Sequence, residues 1–394
     1  MGGGIDRIST LPDVLLCHIL SYVPSKTAVA TSILSNRWRN IWHSVPAIDL
    51  DDSLYLHIGD YHPFANVAYA LMLRLHATQP ILTFRLKCQS SLSCAPWDLN
   101  LWIDTAIQHC VETMELSLPL TVKLPSTALT SAKLVSLTLR GLTVDNVRSV
   151  SLPALKFLHL NDGVRFTESR YLEMLLSGCP ILEDLRIGQL EAWHFVTEFN
   201  LPNLIKADVM SVSVPIAKFY NVKFLSICVA DFPTTPECTF HNLIRMRLLV
   251  TCSCKWHLLV GLLKYCPKLQ FLSIIVNTTV ISTIDSEFVC SSELLVPECV
   301  STRLSVCVLE GLWSRKDIRF ASYIMFNASV LRIMVIRSAS FLNIDAKFKM
   351  LRQNARVLLK MAICSIRYLV GEARFEFLQD LSKVPRISRA STLV

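Results

Sequence analysis

The stretch Leu175-Leu176-Ser177-Gly178-Cys179-Pro180-Ile181-Leu182-Glu183-Asp184-Leu185-Arg186-Ile187 returns without a gap as Leu262-Leu263-Lys264-Tyr265-Cys266-Pro267-Lys268-Leu269-Gln270-Phe271-Leu272-Ser273-Ile274. Seven of the thirteen positions are identical. In each copy an amphipathic segment (Ser169 to Ser177; Trp256 to Tyr265) halts before Cys-Pro, and a short stretch of alternating apolar residues follows. Proline cannot continue a helical hydrogen-bond ladder, so it commonly follows a helix end. Each copy therefore predicts a helix, a stop and a strand. Helix then strand, repeated, gives a parallel sheet with helices on the outer face.

Working outward from these copies, the spacing apolar, two free, apolar, one free, apolar starts at Ile81, Val111, Leu134, Leu155, Leu182, Leu204, Val222, Leu243, Leu269, Leu304, Leu331 and Leu358. From Leu134 to Leu269 the intervals are 21, 27, 22, 18, 21 and 26 residues, near the roughly 20–29 of leucine-rich repeats. Such a solenoid buries leucine in continuous stacks, and each repeat needs its neighbours. The residue between the second and third apolar positions points away from that core. In order these residues are Arg85, Glu115, Thr138, His159, Arg186, Asp208, Ser226, Arg247, Ser273, Val308, Val335 and Ala362. Nine of the twelve are polar and the apolar three come last, so a concave binding face that becomes more apolar toward the C-terminus is expected. The candidate target-binding residues on it are Arg85, Glu115, His159, Arg186, Asp208 and Arg247.

The composition fits a chain with a large core. Of 394 residues, 52% are hydrophobic and 18% charged, which excludes disorder, since disorder needs low hydrophobicity and high charge. The mean hydropathy of +0.43 raises the question of a membrane. The most apolar tract, Leu258 to Val276, is interrupted by Lys264, Lys268 and Gln270, whereas a span needs about 20 nearly uncharged residues. The start, Met1-Gly2-Gly3-Gly4-Ile5-Asp6-Arg7, lacks the apolar core of a signal peptide. An intracellular chain without membrane association is expected, in nucleus or cytoplasm. The net charge of +8 is spread along the sequence, unlike the clustered footprint of a nucleic-acid binder. Fourteen cysteines in such a compartment read as small buried hydrophobes. Cys252, Cys254, His257 and Cys266 are the nearest approach to a metal-ligand cluster, but there is no Cys-x-x-Cys, and core packing is the expected role. Neither a metal nor a cofactor is expected.

The first fifty residues differ in texture. Asp6 to Asp52 reads DRISTLPDVLLCHILSYVPSKTAVATSILSNRWRNIWHSVPAIDLDD. Leu11-Pro12-Asp13 reads as a helix start, and Val14, Leu15, Ile19, Leu20 and Val23 fall on its successive turns up to Pro24. Ser25 reads as the cap of a second helix carrying Ala28, Val29, Ile33 and Leu34. A third, Asn36 to His43, sets Trp38 and Trp42 four residues apart on one face. Three short helices cannot bury all this apolar surface among themselves, so either the rest of the chain or another protein must cover the remainder.

These residues carry a family resemblance. The Leu11-Pro12 start, Cys17-His18-Ile19-Leu20, Ser32 to Ser35 and Arg37-Trp38-Arg39 with Trp42 resemble the F-box, most closely its plant subgroup beginning DRIS-LPD. Val14 replaces a usual acidic residue and Asn36 a common lysine. Farther on, Pro297-Glu298-Cys299, Leu304 to Gly311, a helix over Asp317 to Phe326 and Asn327 to Ile336 resemble the FBD region of plant F-box proteins. Asn354 to Ile363 repeats part of that signature 27 residues later. The resemblance implies an α/β chain with a three-helix F-box over 6–46, a leucine-rich-repeat solenoid over 64–296 and an FBD-like region over 297–394. A link, Pro46 to Pro63, and a helix, Ala65 to Ala77, join the first two.

The resemblance also implies a role. Such a chain is a non-catalytic, substrate-recruiting subunit of an SCF-type cullin ubiquitin ligase. It docks to a Skp-type adaptor, and through it to a cullin, by Leu11, Pro12, Leu15, Ile19, Leu20, Val23 and Trp38, while the repeats hold an unknown target. Three other readings stand beside it: an interaction scaffold whose F-box has decayed, a zinc-dependent enzyme with Cys252 as a ligand, and a receptor whose Arg85, Arg186 and Arg247 hold a small anion. No GxSxG, P-loop, GxGxxG or HExxH motif occurs in the sequence. His109 and Cys110 are adjacent, and neighbours on a helix do not face each other.

Overall fold

The structure is a computed structural model that describes residues 8, 10–55, 62–73, 81–88, 95–190, 199–210, 216–229, 238–250, 256–276, 296–312, 315–338, 366–369 and 374–378. It divides into two units, Met1–Leu204 with Ser213–Lys218, and Ile205–Val212 with Phe219–Val394. Each is described by itself.

The first unit begins with a helical head of α1 (Asp13–Leu20), α2 (Ser25–Ala30) and α3 (Trp38–Ile41). Its helices are shorter than the apolar spacing predicts. α1 ends at Leu20, where Ser21 caps it with its backbone N–H, before Pro24 is reached. Ser25 does not cap α2; it is the first residue of that helix, and its hydroxyl instead accepts the N–H of Asp49 at 2.8 Å. α3 passes at Trp42 into a single 3-10 turn.

The rest of the unit is sheet. β1 (Ala47–Asp51) lies inside the segment expected to be a link, and α4 (His62–Leu73) follows it. Then come β2 (Thr83–Lys87), α5 (Pro96–Gln108), β3 (Thr113–Ser117), β4 (Ser136–Arg140), β5 (Thr143–Val144), β6 (Phe157–Leu160), β7 (Arg165–Phe166), α6 (Ser169–Ser177) and β8 (Asp184–Ile187). β1, β2, β3, β4, β6 and β8 pair in parallel in that order, while β5 and β7 form a separate two-stranded ladder. The alternation Ile48-Asp49-Leu50-Asp51 is the period-two signal of a half-buried strand, and it places the start of the sheet at Ala47.

The second unit contains β9 (Lys206–Val209), β10 (Phe224–Val229), β11 (Arg245–Val250), α7 (Trp256–Leu263), β12 (Phe271–Val276), α8 (Glu298–Thr302), β13 (Val306–Leu312), α9 (Arg315–Asn327) and β14 (Ile333–Ser338). These strands are again parallel and sequential. β15 (Ile366–Leu369) and β16 (Arg374–Leu378) break the rule: β16 runs antiparallel to β14 and β15 antiparallel to β16. The segment expected to duplicate the FBD signature, 354–363, lies outside the described residues.

Eleven of the twelve repeat starts fall two residues before a strand; the twelfth, Leu358, is outside the described residues. The register is constant from repeat to repeat: Arg85 pairs with Glu115, Glu115 with Thr138, Thr138 with His159 and His159 with Arg186. Constant register stacks like positions, so Leu137, Leu158 and Leu185 form one buried rung and Leu139, Leu160 and Ile187 the next, all fully buried. In the second unit Met246, Leu272 and Cys307, then Leu248, Ile274 and Leu309, do the same.

A turn sets each strand. The N–H of the repeat's first residue reaches the carbonyl three residues back in Leu155, Leu182, Leu204, Val222, Leu243, Leu269 and Leu331. Proline follows that carbonyl residue in Leu152-Pro153, Cys179-Pro180, Leu201-Pro202 and Cys266-Pro267, where its fixed φ suits the second position of a β-turn. The cysteines of the two long copies act alike. Cys179 Sγ donates to Leu175 O at 3.0 Å and Cys266 Sγ to Leu262 O at 3.5 Å. Each thiol thus satisfies a carbonyl at its helix end, and both are fully buried.

The outer side is less uniform than expected. Among the described residues a helix follows the strand only where repeat starts lie 26 or more residues apart, as from Ile81 to Val111 or Leu155 to Leu182. Shorter repeats, such as Val111 to Leu134 and Leu204 to Val222, carry single 3-10 turns, Ser126–Leu129 and Ile216–Phe219. About twenty residues leave too few for a strand, two turns and a three-turn helix. Gly311, at φ +78, sits in the bulge of β13 where register shifts between Glu310 and Leu312. A Cβ there would overlap the Val276 carbonyl oxygen, so the left-handed bulge position requires glycine.

The buried thiols make a chemical prediction. Burial pushes Cys179 and Cys307 up to about 12 and Cys299 to about 11, and also raises Cys266, whereas Cys110 is exposed. Only the thiolate is nucleophilic. Iodoacetamide at mildly alkaline pH is therefore expected to label Cys110 in the native chain and to spare those four until denaturant is added, as read by peptide mass spectrometry.

Candidate functional site

The head has a complete core of its own. Leu16, Cys17, Leu20, Ala28, Trp38 and Ile41 are buried together, with Leu11, Val23, Trp42 and Val45 packed against them. Arg37 ties the start of α1 to α3: its Nη2 lies 2.6 Å from Asp13 Oδ1 and also donates to the Leu11 carbonyl. With Leu16, Cys17 and Leu20 turned inward, α1 presents Leu15 and Ile19 at i and i+4 on the other side, beside Val14, and Tyr22 is exposed in the turn that follows. Leu15 and Ile19 are each 46% exposed, and Val14 is 78% exposed. Ile33 and Leu34, after α2, are likewise exposed. Of the nineteen exposed large apolar side chains among the described residues, seven fall between Ile8 and Leu34, a concentration that marks an interaction surface.

The residues expected to meet an adaptor therefore divide. Leu15, Ile19 and Pro12 are exposed; Leu11 and Val23 are half-buried against the core; Leu20 and Trp38 are 5% exposed and lie within it. Apolar spacing alone does not say which side of a two-sided helix closes the head's own core. Val14, Tyr22, Ile33 and Leu34 join the exposed set.

The second surface is the polar face of the sheets. In the first unit its charges are largely matched by their neighbours. Arg85 lies 3.9 Å from Asp49 and 3.6 Å from Glu115, so it is not a free cation for a ligand. His159 Nε2 lies 3.6 Å from Asp184 Oδ1, and Arg186 is exposed. Lys87 meets Asp51 at 3.0 Å. In the second unit Asp208, Ser226, Arg247, Ser273, Val308 and Val335 form the equivalent row. It reaches valines on β13 and β14, as the sequence indicates; Ala362 lies outside the described residues, and the register partner of Val335 on β16 is Glu376. Asp49, within the expected link, extends the first row by one strand.

Asp51 provides a test of the local electrostatics. Burial works against its ionised form, but the Ser53 hydroxyl and N–H, with Lys87, outweigh that and hold its carboxyl below the usual range. A lowered folded value contributes stability above the unfolded pKa that is lost as pH falls through the folded one. Asp51→Asn is expected to cost about 0.5–1 kcal/mol near neutrality. The gap from wild type should narrow as pH falls below the ordinary aspartate pKa of about 3.9, measured as urea midpoints at falling pH.

Among the described residues no group of three or more His, Cys, Asp or Glu side chains could hold a metal. Cys252 and Cys254 of the expected cluster lie outside the described residues, and Cys266 is committed to Leu262 O. Among the described residues no helix is long and apolar enough to cross a membrane.

A helical head with one uncovered apolar side leads into in-register parallel repeats of the leucine-rich type. Family models agree with this division: an F-box domain matches residues 8–48, a leucine-rich repeat 154–180 and an FBD 292–336. The chain thus carries an F-box, a leucine-rich repeat and an FBD. It is 28% identical over 414 residues to an F-box/FBD/LRR-repeat protein of Arabidopsis thaliana, covering 90% of this chain and 97% of that one. An FBD-associated F-box protein of the same plant is 28% identical over 83% of this chain and 87% of its own length. A second Arabidopsis F-box/FBD/LRR-repeat protein reaches 35% over 47% of this chain and 42% of its own. F-box domains generally bind Skp-type adaptors, and leucine-rich repeats bind targets.

Proposed function

We propose that the chain recruits substrates to an SCF-type cullin ubiquitin ligase. The head docks to a Skp-type adaptor, and the polar sheet faces hold the target protein near the charged conjugating enzyme. The observation that carries this reading is the apolar side of α1, which stays exposed although the head's own core is closed. Leu15, Ile19 and Pro12 contact the adaptor directly; Leu11, Val23, Leu20 and Trp38 hold the contact residues in place from behind. The chain supplies proximity and no chemistry of its own: tethering raises the effective concentration of target lysines.

Cullin retention tests the reading. Immobilised full-length chain is expected to retain a recombinant cullin only when a Skp-type adaptor is added. Retention without adaptor, or none with it, contradicts the proposal. The decayed-F-box scaffold predicts the latter result from a folded chain.

A further inference from the structure

In the second unit the strand register also builds a mixed cationic and apolar surface. Phe224, Arg245 and Phe271 are direct lateral partners on β10, β11 and β12. The Arg245 guanidinium carbon lies 5.8 Å from the Phe224 ring centroid and 5.7 Å from that of Phe271. Two rings acting on one guanidinium hold it by cation–π attraction and restrict its rotamers, so its planar donor fork is pre-organised for an oxyanion. Two residues along the same strand, about 7 Å away, Arg247 projects from the same face between Ser226 and Ser273. Both arginines are exposed, and the Ser226 hydroxyl oxygen is buried with no hydrogen-bond partner. On the next two strands the corresponding positions are Val306 and Val308, then Ile333 and Val335. Beyond them Arg337 is paired with Glu310 and adds no free charge.

We propose that this face reads an extended acidic and aliphatic segment of the target. An oxyanion sits on Arg245 and Arg247, and a neighbouring aliphatic side chain lies on Val306, Val308 and Ile333. The inference rests on the target-binding role of the sheet face and names the chemistry of what binds. A basic segment would meet two arginines of like charge. A purely apolar one would cover two guanidinium groups without a partner, which is costly. A bare anion would leave the aliphatic shelf in water. The oxyanion is a carboxylate or a phosphate, and the two are separated by experiment.

Random peptides displayed on phage are selected against the purified full chain, and enriched sequences are synthesised with a fluorophore for anisotropy titration. The expected result is enrichment of Asp or Glu beside Leu, Ile or Val. Arg245→Glu with Arg247→Glu should then weaken binding at least about tenfold, as expected for loss of charge-assisted pairs. Val308→Asp should weaken it comparably, and Lys133→Glu, at an exposed position outside the strands of the first unit, should leave it unchanged. Arg245→Lys, which keeps the charge and the fold but loses the planar stack, should weaken it by a smaller factor, with thermal midpoints recorded for every variant. Replacing the selected Asp or Glu by phosphoserine identifies phosphate as the source if binding tightens and carboxylate if it weakens. Peptides rich in Lys or Arg overturn the proposal. Peptides indifferent to reversal at 245 and 247 but lost on Arg186→Glu overturn it while sparing the target-binding reading. A folded chain that enriches no peptide removes both.

Discussion

Leu15→Asp combined with Ile19→Asp is expected to abolish binding of a Skp-type adaptor while leaving the head folded. Both side chains are 46% exposed and stand on the side of α1 opposite the buried Leu16, Cys17 and Leu20. Covering an apolar side chain of this size contributes about 1.5–3 kcal/mol. Two carboxylates in their place remove that gain and add the cost of burying unpaired charge, a loss of at least about a hundredfold in affinity. Titration calorimetry with a recombinant adaptor reads the affinity, and thermal unfolding by circular dichroism reads the fold. Leu20→Ala and Trp38→Ala provide the contrast. Both side chains are 5% exposed within the head's core, so they should cost about 2–5 kcal/mol of folding stability and lose the adaptor by loosening the head. If the double aspartate variant bound normally, the exposed side of α1 would not be the docking surface.

Trp256→Ala should have the largest effect on the second unit. Trp256, at the start of α7, stacks on Phe320 of α9 with centroids 4.2 Å apart and planes 14° from parallel. The two are 1% and 0% exposed. Phe320 belongs to the segment matched by the FBD, so the stack joins a leucine-rich repeat to the FBD within one core. Truncating a buried tryptophan costs about 3–5 kcal/mol, and in a stack of repeats the loss spreads to the neighbours. Urea unfolding should show that loss, and hydrogen exchange should accelerate in both β12 and β13. Phe320→Ala should cost a similar amount, and the double variant less than the sum of the two, because the residues share one contact. A loss below about 1 kcal/mol for Trp256→Ala would show that the FBD is not integrated with the repeats.

The repeats were legible because their signal is doubly constrained. A leucine spacing alone recurs often in so apolar a chain, but the ungapped match around Cys179 and Cys266 fixes its phase, and the strands follow that phase throughout. What stayed hidden depends on three-dimensional context. β1 was masked by its aspartates and by Pro46, although Ile48 and Leu50 alternate as a strand requires. The absence of helices between the shorter repeats follows from length, which hydrophobic spacing does not register. On the head, periodicity identified an apolar helix with more apolar surface than it could bury. It did not divide Leu20, which faces inward, from Ile19, which faces out, because that depends on where Trp38 and Ile41 pack. The row from Arg85 to Arg247 was readable as positions but not as charges. Only the register reveals that Asp49 and Glu115 flank Arg85, while phenylalanines flank Arg245.

Size-exclusion chromatography with light scattering, on purified full-length chain mixed with a recombinant Skp-type adaptor, shows whether the head is a working adaptor-docking module on a repeat scaffold. A one-to-one complex is expected, lost on Leu15→Asp with Ile19→Asp. Separate elution of chain and adaptor, with the head shown to be folded by hydrogen exchange across α1 and α3, would contradict it.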